Sequence, residues 1–304
     1  MTVAALIDRT YREWLTPPNQ QATRFKLNDS GGISATDVTA ITDTTLLSPE
    51  EEDLIGAGTI IEMERELALI TAVSGTSPDL TLTLDDVGGD RDPKLGTTAA
   101  AHADGIEIFL APDYSRQSVF DALSDSIDDI WPTLWMVKTL LIPTSSSWVE
   151  VDNDVEEIFD ARLLDGRTLD SGRYELMLDF PLASSLRAVR YDGAIGAGNT
   201  VIIRYKAKAI RPTLEADTLA SLNIEASWQK ILTVGIAASL LRGADIDAAT
   251  QEFITESLAR EGFPPGSGES LSNSLLRFQD FLTQRRAKSQ NVRTPPTQVI
   301  ERVL

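Results

Sequence analysis

Residues 59–84 read TIIEMERELALITAVSGTSPDLTLTL. Three β-rich runs stand in this stretch, at 59–61, 67–73 and 80–84, and Gly75 and Pro78 punctuate the last two. The same grammar continues outward on both sides. Phe25 and Leu27, Ile41, and residues 106–110 are further short runs, separated by Gly31-Gly32, residues 56–58, Gly88-Gly89 and Gly105. So many short strands within 22–110 point to a small antiparallel β-barrel or sandwich.

Beyond this block the period changes. In 3–15, Leu6, Ile7, Tyr11, Trp14 and Leu15 fall on one side of a helix, which Thr16-Pro17-Pro18 stops. Over 115–140 a second apolar stripe runs through Val119, Leu123, Ile127, Ile130, Trp131 and Leu134. Asp113 or Ser115 is placed to cap it and Pro132 to kink or divide it. A second β segment follows, with strands expected at 148–151, 158–164, 173–178, 186–191 and 200–209. The last alternates cleanly: Val201, Ile203, Tyr205 and Ala207 on one face, Arg204, Lys206 and Lys208 on the other, with Arg211 just beyond.

After Pro212 helical spacing returns. Trp228, Ile231, Gly235, Ala238 and Leu241 recur at steps of three or four, and the small residues among them let another helix approach closely. A further helix is expected over about 247–261. Another starts near Ser270 or Ser272 and runs through Leu275, Phe278 and Leu282 into Arg285-Arg286. The final stretch carries Pro295-Pro296 and then Val299, Ile300, Val303 and Leu304, an extended arm with an apolar end. The expected class is therefore α+β, in six segments: an N-terminal helix (1–21), an acidic β-domain (22–112), an amphipathic helix (113–144), a second β-module (145–211), a helical region (212–289) and a C-terminal arm (290–304).

The chain has 304 residues, 27 basic against 46 acidic side chains, and a net charge of -19. It has no cysteine, which excludes disulfide scaffolds, thiol catalysis, cysteine zinc sites and iron–sulfur clusters. Its single histidine, His102, excludes a histidine-rich metal site within one chain. The longest weakly polar run, 231–241, is far short of the roughly 18 residues of a membrane-spanning helix. Residues 1–15 lack the basic leader of a signal peptide, so a soluble protein made in a cytoplasm is expected. Charge is uneven: 22–110 holds 5 basic and 17 acidic residues, whereas 285–304 holds 5 basic and 1 acidic. An acidic body ending in a basic tail suggests an interaction arm.

Few constellations suggest catalysis. His102 has no nucleophile elbow, P-loop, dinucleotide fingerprint or zinc motif beside it. A locally bonded loop histidine is preferred over a general base. Adjacent acids such as Asp85-Asp86 and those at 50–53 read as solvated surface before a glycosidase pair. Residues 85–92 are oxygen-rich but lack the spacing of a calcium loop, and read as a turn between strands. The net charge opposes nucleic-acid binding by the body. The exception is the basic strand face of Arg204, Lys206, Lys208 and Arg211, which reads either as ordinary solvated surface or as a protein-docking patch.

Two stretches carry a resemblance. Residues 95–105, LGTTAAAHADG, followed by Ile106, Ile108 and Pro112, resemble the G-T-x-A-x-x-H-x-x-G turn of small β-domains in tailed-bacteriophage virion proteins. Residues 228–241, WQKILTVGIAASLL, are similar to the alanine-rich helix of head–tail connector (adaptor, neck) proteins of long-tailed phages. The order of segments is similar too, although the two β-modules exceed the short adaptor's helical bundle. The resemblance implies a non-enzymatic structural virion protein without cofactor or metal, forming a ring, usually dodecameric, between the portal protein and the next neck or tail-terminator ring. Phage DNA would pass through its lumen without specific contact. Portal docking would then fall to Arg285, Arg286, Lys288, Arg293, Val299, Ile300, Val303 and Leu304. Two alternatives stay open: a tail or baseplate adhesin with carbohydrate-binding β-domains, and an entry-associated carboxylate glycosidase.

Overall fold

The structure, a computed structural model, describes residues 1–15, 23–94, 97–110, 112, 114–143, 148–151, 155–163, 169, 174–177, 187–191, 200–242, 248–265 and 270–293. It mixes helix and strand and divides into two compact units. One comprises Ile7–Leu123 and Ile236–Ser274. The other comprises Met1–Leu6, Ser124–Gly235 and the chain from Leu275 on. The six segments read from sequence are thus not six folding units. The expected helical region 212–289 is shared, with 236–274 in the first unit and its remainder in the second.

The chain opens with α1 (Val3–Thr10), continued by a π-helical turn, Tyr11–Leu15, that buries Trp14 and Leu15. The barrel follows. β1 (Arg24–Leu27), β2 (Thr39–Asp43), β3 (Ile60–Met63), β4 (Glu66–Thr76) and β5 (Asp79–Leu84) precede a short side hairpin of β6 (Asp86–Val87) and β7 (Asp90–Arg91). β8 (Glu107–Leu110) completes the barrel. The order β1-β2-β5-β4-β3-β8 closes on itself, all neighbours antiparallel, with Arg24 of β1 opposite Phe109 of β8. Alternate residues point inward: Phe25 and Leu27, Ile61 and Met63, Leu82 and Leu84 pack into one buried cluster with Ile70 and Ile108. Closure gives every barrel strand a neighbour on each side, while β4 beyond Ile70 pairs with β5 alone. Residues 85–92 form the β6–β7 hairpin, the turn expected of them.

Between β2 and β3 sits the single-turn α2 (Pro49–Glu52). Its N-cap Ser48 and Glu51 form a reciprocal capping box, with Pro49 at the first helical position. After the barrel, α3 (Arg116–Ile130) starts where Ser115 Oγ accepts the Ser118 N–H at 3.0 Å. Val119, Leu123, Ile127 and Ile130 form its buried stripe.

The expected helical segment 113–144 is corrected here. α3 ends at Ile130, and residues from Met136 form a strand, β9 (Met136–Pro143). Pro132 removes a backbone donor just past the helix end. The run that follows carries β-branched Val137, Thr139 and Ile142, which fit a pleated surface better than a helix.

The second unit holds β9, β10 (Trp148–Glu150), β11 (Val155–Leu163), β12 (Tyr174–Met177), β13 (Ala188–Tyr191) and β14 (Thr200–Ala207). They form two three-stranded sheets, ordered β11-β14-β9 and β10-β13-β12. β14 is the central strand of its sheet, and its residues alternate as its sequence requires: Val201, Ile203, Tyr205 and Ala207 are buried. The start of α1 is tied to this unit's chain. Val3 and Ala4 N–H groups, orphaned at a helix start, donate to the Asp217 and Glu215 carbonyls at 2.9 and 3.0 Å.

Three helices complete the chain: α4 (Gln229–Leu240), entered through a 3₁₀ turn at Ala226–Trp228, α5 (Ala248–Arg260) and α6 (Leu271–Arg293). α5 packs on the π-helical turn of Tyr11–Leu15. α4 is buried at every position over 231–238, as befits a helix apolar on all sides. Its Gly235 permits close packing: a Cβ there would lie 2.3 Å from both Gln279 Nε2 and Ser126 Oγ. No helix among the described residues is long and apolar enough to cross a membrane.

Candidate functional site

Two arrangements of polar side chains stand out, one in each unit. The first joins β4 to the β6–β7 hairpin and to residues 100–102. Glu66 starts β4, and Arg91 ends the β6–β7 hairpin. Arg91 Nε and Nη2 donate to the two carboxylate oxygens of Glu66 at 2.6 and 3.0 Å, while Nη1 donates to the Asp37 carbonyl at 3.0 Å. Both side chains are all but fully buried. Glu66 Oε2 also accepts the Ala100 N–H at 2.9 Å and lies 2.8 Å from His102 Nε2. His102 Nδ1 lies 3.0 Å from Glu64 Oε2. The imidazole ring thus bridges the two carboxylates through its two nitrogens. Burial pushes the Glu66 carboxyl up. The bonds from His102, Arg91 and Ala100, with the Arg91 charge, outweigh it and hold the group below its ordinary value.

The G-T-x-A-x-x-H-x-x-G stretch is explained by this latch. Thr97 Oγ1 accepts the Leu67 N–H at 3.1 Å, and the Ala100 amide and His102 ring hold Glu66. His102 and Ile33 exchange both backbone bonds at 2.9 Å, and the Gly105 N–H reaches the Leu27 carbonyl. Gly32 is needed beside them: its φ is +76°, and a Cβ would lie 2.2 Å from the His102 carbonyl oxygen. An open cleft of about 460 Å³ lies alongside, lined by residues 31–34, Asp37 and 101–103. The expectation of a locally bonded His102 is corrected: its ring partners are Glu64 and Glu66, 38 and 36 residues away. Those carboxylates engage both nitrogens that a general base would use.

The second arrangement lies along α4 and α6. A groove of about 280 Å³ is lined by Ser227, Lys230 and Ile231 on one side, and by Leu282, Arg285, Arg286 and Ser289 on the other. Leu282 supplies apolar surface over the buried Ile231; Lys230, Arg285 and Arg286 supply positive charge. Arg286 is partly committed, paired with Glu225 and donating from Nη1 to Ser289 Oγ at 3.2 Å. Lys230 Nζ stands 5.8 Å from the Phe278 ring centre. Arg285 is exposed and pairs with no described residue. α6 is held in place by buried polar contacts: Gln279 Nε2 donates to Ser126 Oγ at 3.3 Å, and Gln290 Nε2 to the Trp135 carbonyl at 2.9 Å.

The docking residues expected from sequence are thus distributed. Arg285 and Arg286 share the groove, and Lys288 is exposed on the same helix. Arg293 ends α6, and its side chain lies outside what is described; Val299, Ile300, Val303 and Leu304 lie outside the described residues altogether. The helix-packing residues Trp228, Ile231, Ala238 and Leu241 are all buried. The basic strand face is engaged by its own unit. Arg204 pairs with Asp160 at 3.3 Å, Lys206 stands 4.9 Å from the Trp131 ring centre and Lys208 5.8 Å from it, and Arg211 pairs with Asp128. Arg211, the most exposed of the four, is held further toward its charged form by its hydrogen bond to Asp128.

Sequence reasoning did not find Lys230 or Ser227, which sit at the start of a helix read only for its apolar spacing. It also missed Glu66 and Arg91. The signal there was faint: Glu62, Glu64 and Glu66 alternate along 62–66, and two of them, Glu62 and Glu66, are buried. Glu62 Oε1 accepts the Arg116 N–H at the start of α3. Among the described residues no cluster of acids and histidine has the makings of a metal site. Comparison with protein-family models and with curated proteins finds no match for the chain.

Proposed function

We propose that the chain is a structural virion protein, a head–tail adaptor of a long-tailed bacteriophage that assembles as a ring between the portal and the tail. The observation that carries the reading is the α4–α6 pair. A helix buried over 231–238 and closed on its neighbours at Gly235 gives a firm base. From it α6 runs 23 residues toward the basic C-terminal segment, with Arg285 and Lys288 exposed. The segment beyond α6 would dock on the portal, and the self-associated ring would leave a lumen for DNA. An acidic body repels phosphate, which reduces sticking during DNA passage. The finer architecture belongs to the same proposal: the barrel is the outward or next-ring-facing module, the paired sheets a second module, and 290–304 an extended arm.

The adhesin alternative calls for exposed aromatic rings on a β face. Within 23–110 the only aromatic side chains are Phe25, which is buried in the barrel, and the half-buried Phe109. The glycosidase alternative calls for two carboxylates facing each other across a cleft. The buried acid Glu66 is instead bound by Arg91, His102 and a backbone amide.

Native mass spectrometry of the purified chain, alone and mixed with the portal protein encoded beside it, tests the proposal. A portal-bound ring that is lost on deleting 290–304 supports it. A stable trimer that ignores the portal refutes it.

A further inference from the structure

We infer that the groove between α4 and α6 receives the acidic turn at 46–54 of a second copy of this chain. The inference deepens the ring-forming part of the adaptor reading and rests on it.

The groove combines the half-buried apolar side chain of Leu282, packed over the buried Ile231, with the cations Lys230 and Arg285 and the hydroxyls of Ser227 and Ser289. Its occupant should therefore offer carboxylates beside apolar side chains. Residues 46–54 read LLSPEEEDL, and they present that combination as a fixed shape. Leu46 and Leu54 are 73% and 58% exposed, at the two ends of the turn. Between them Glu50 and Asp53 are exposed, and Glu52 is half-buried. Glu51 is tied back to Ser48 through the capping box, so the turn is held before any partner arrives. Preorganisation of this kind lowers the ordering cost of docking.

A large exposed leucine at each end of an acidic turn has no role inside the barrel, whose core is already filled by other residues. Copies of an acidic chain repel one another over long range, but that field is screened within about 10 Å in ordinary salt. Local pairing of Lys230 and Arg285 with the turn then decides the contact. Because knob and groove are different surfaces, the contact is heterologous, and repeated copies either close a ring or extend as a filament.

The decisive experiment is a charge exchange, read by sedimentation velocity over a concentration series of the full chain. Lys230→Glu with Arg285→Glu should weaken self-association by about tenfold or more, and Glu50→Lys with Asp53→Lys should do the same. A mixture of the two variants should recover association, because each supplies the surface the other lacks. Circular dichroism checks that each variant is folded. The cysteine-free chain also allows a clean cross-link. Ser227→Cys and Leu54→Cys proteins, mixed under mild oxidation, should give a disulfide-linked heterodimer as the dominant product.

Self-association unchanged by both charge reversals overturns the inference, as does a mixture that fails to recover it. A wild-type chain that stays monomeric at every concentration overturns it too. Portal binding by that monomer would leave the adaptor reading standing, so the two failures are distinct.

Discussion

Gly235→Ala sets two effects of opposite sign against each other. In an exposed helix interior, replacing glycine by alanine gains about 1 kcal/mol of helix stability. At 235 the new Cβ would stand 2.3 Å from Gln279 Nε2 and 2.3 Å from Ser126 Oγ, where ordinary contact needs more than an ångström of extra room. Both neighbours are buried, and they are bonded to each other at 3.3 Å. Displacing them costs about 1–3 kcal/mol for the buried polar groups left without partners. Overpacking adds about 1–3 kcal/mol. Net of the propensity gain, the variant should lose about 3 kcal/mol. Urea unfolding followed by tryptophan fluorescence measures this directly. Ser126→Ala in the same chain removes one of the two contacts and should return part of the loss. A Gly235→Ala protein as stable as the parent, or more so, would refute the close-approach argument, since only the propensity effect would then remain.

Three further expectations concern the barrel. Arg91→Leu strands a buried carboxylate and should cost about 3–5 kcal/mol, seen as a lowered thermal midpoint; Glu66→Leu added to it should recover much of the loss. Glu66 also sets an acid dependence. Its folded-state value lies below the ordinary 4.5, so the unfolded chain binds the proton more tightly. Its contribution is complete above 4.5 and disappears as pH falls through the lowered value. A urea-midpoint series into acid should therefore fall more steeply for the parent than for Glu66→Gln. Gly32→Ala should speed hydrogen exchange of the Ile33 and His102 amides, because the added Cβ collides with the His102 carbonyl and the backbone there has positive φ.

What the sequence disclosed follows the range of the forces involved. The strands within 59–84 were legible because runs and breakers are local, and β14 was legible because its alternation is written in eight consecutive residues. β9 was not. The run at 136–142 directly follows a helical stripe and reads as its continuation; its β-branched residues only lean toward a strand, and its pairing with β14 decides. The two-unit division was hidden for the same reason: 236–274 joins a unit whose other residues lie more than a hundred positions earlier. At the barrel latch the sequence offered a histidine and a glycine-rich motif, but Glu66 and Arg91 are ordinary surface residue types until folding buries them together. In the groove, Arg285 and Arg286 could be read from the basic C-terminal stretch, whereas Lys230 could not, because only the packing of α4 beside α6 brings it to them.

Barrel closure through β1 and β8 has a consequence for how such a chain changes over evolutionary time. The strand by which the chain enters the barrel and the strand by which it leaves are hydrogen-bonded neighbours, with Arg24 opposite Phe109. Paired residues across an antiparallel ladder stand only about 5 Å apart. The barrel is therefore written into the polypeptide as a parenthesis. A single excision can remove it and leave two ends that a tight turn reconnects, and a single recombination can exchange it for another module with the same narrow footing. The surface it presents can then diverge at its own pace, provided that Glu62 and Arg65, which hold the start of α3, are kept.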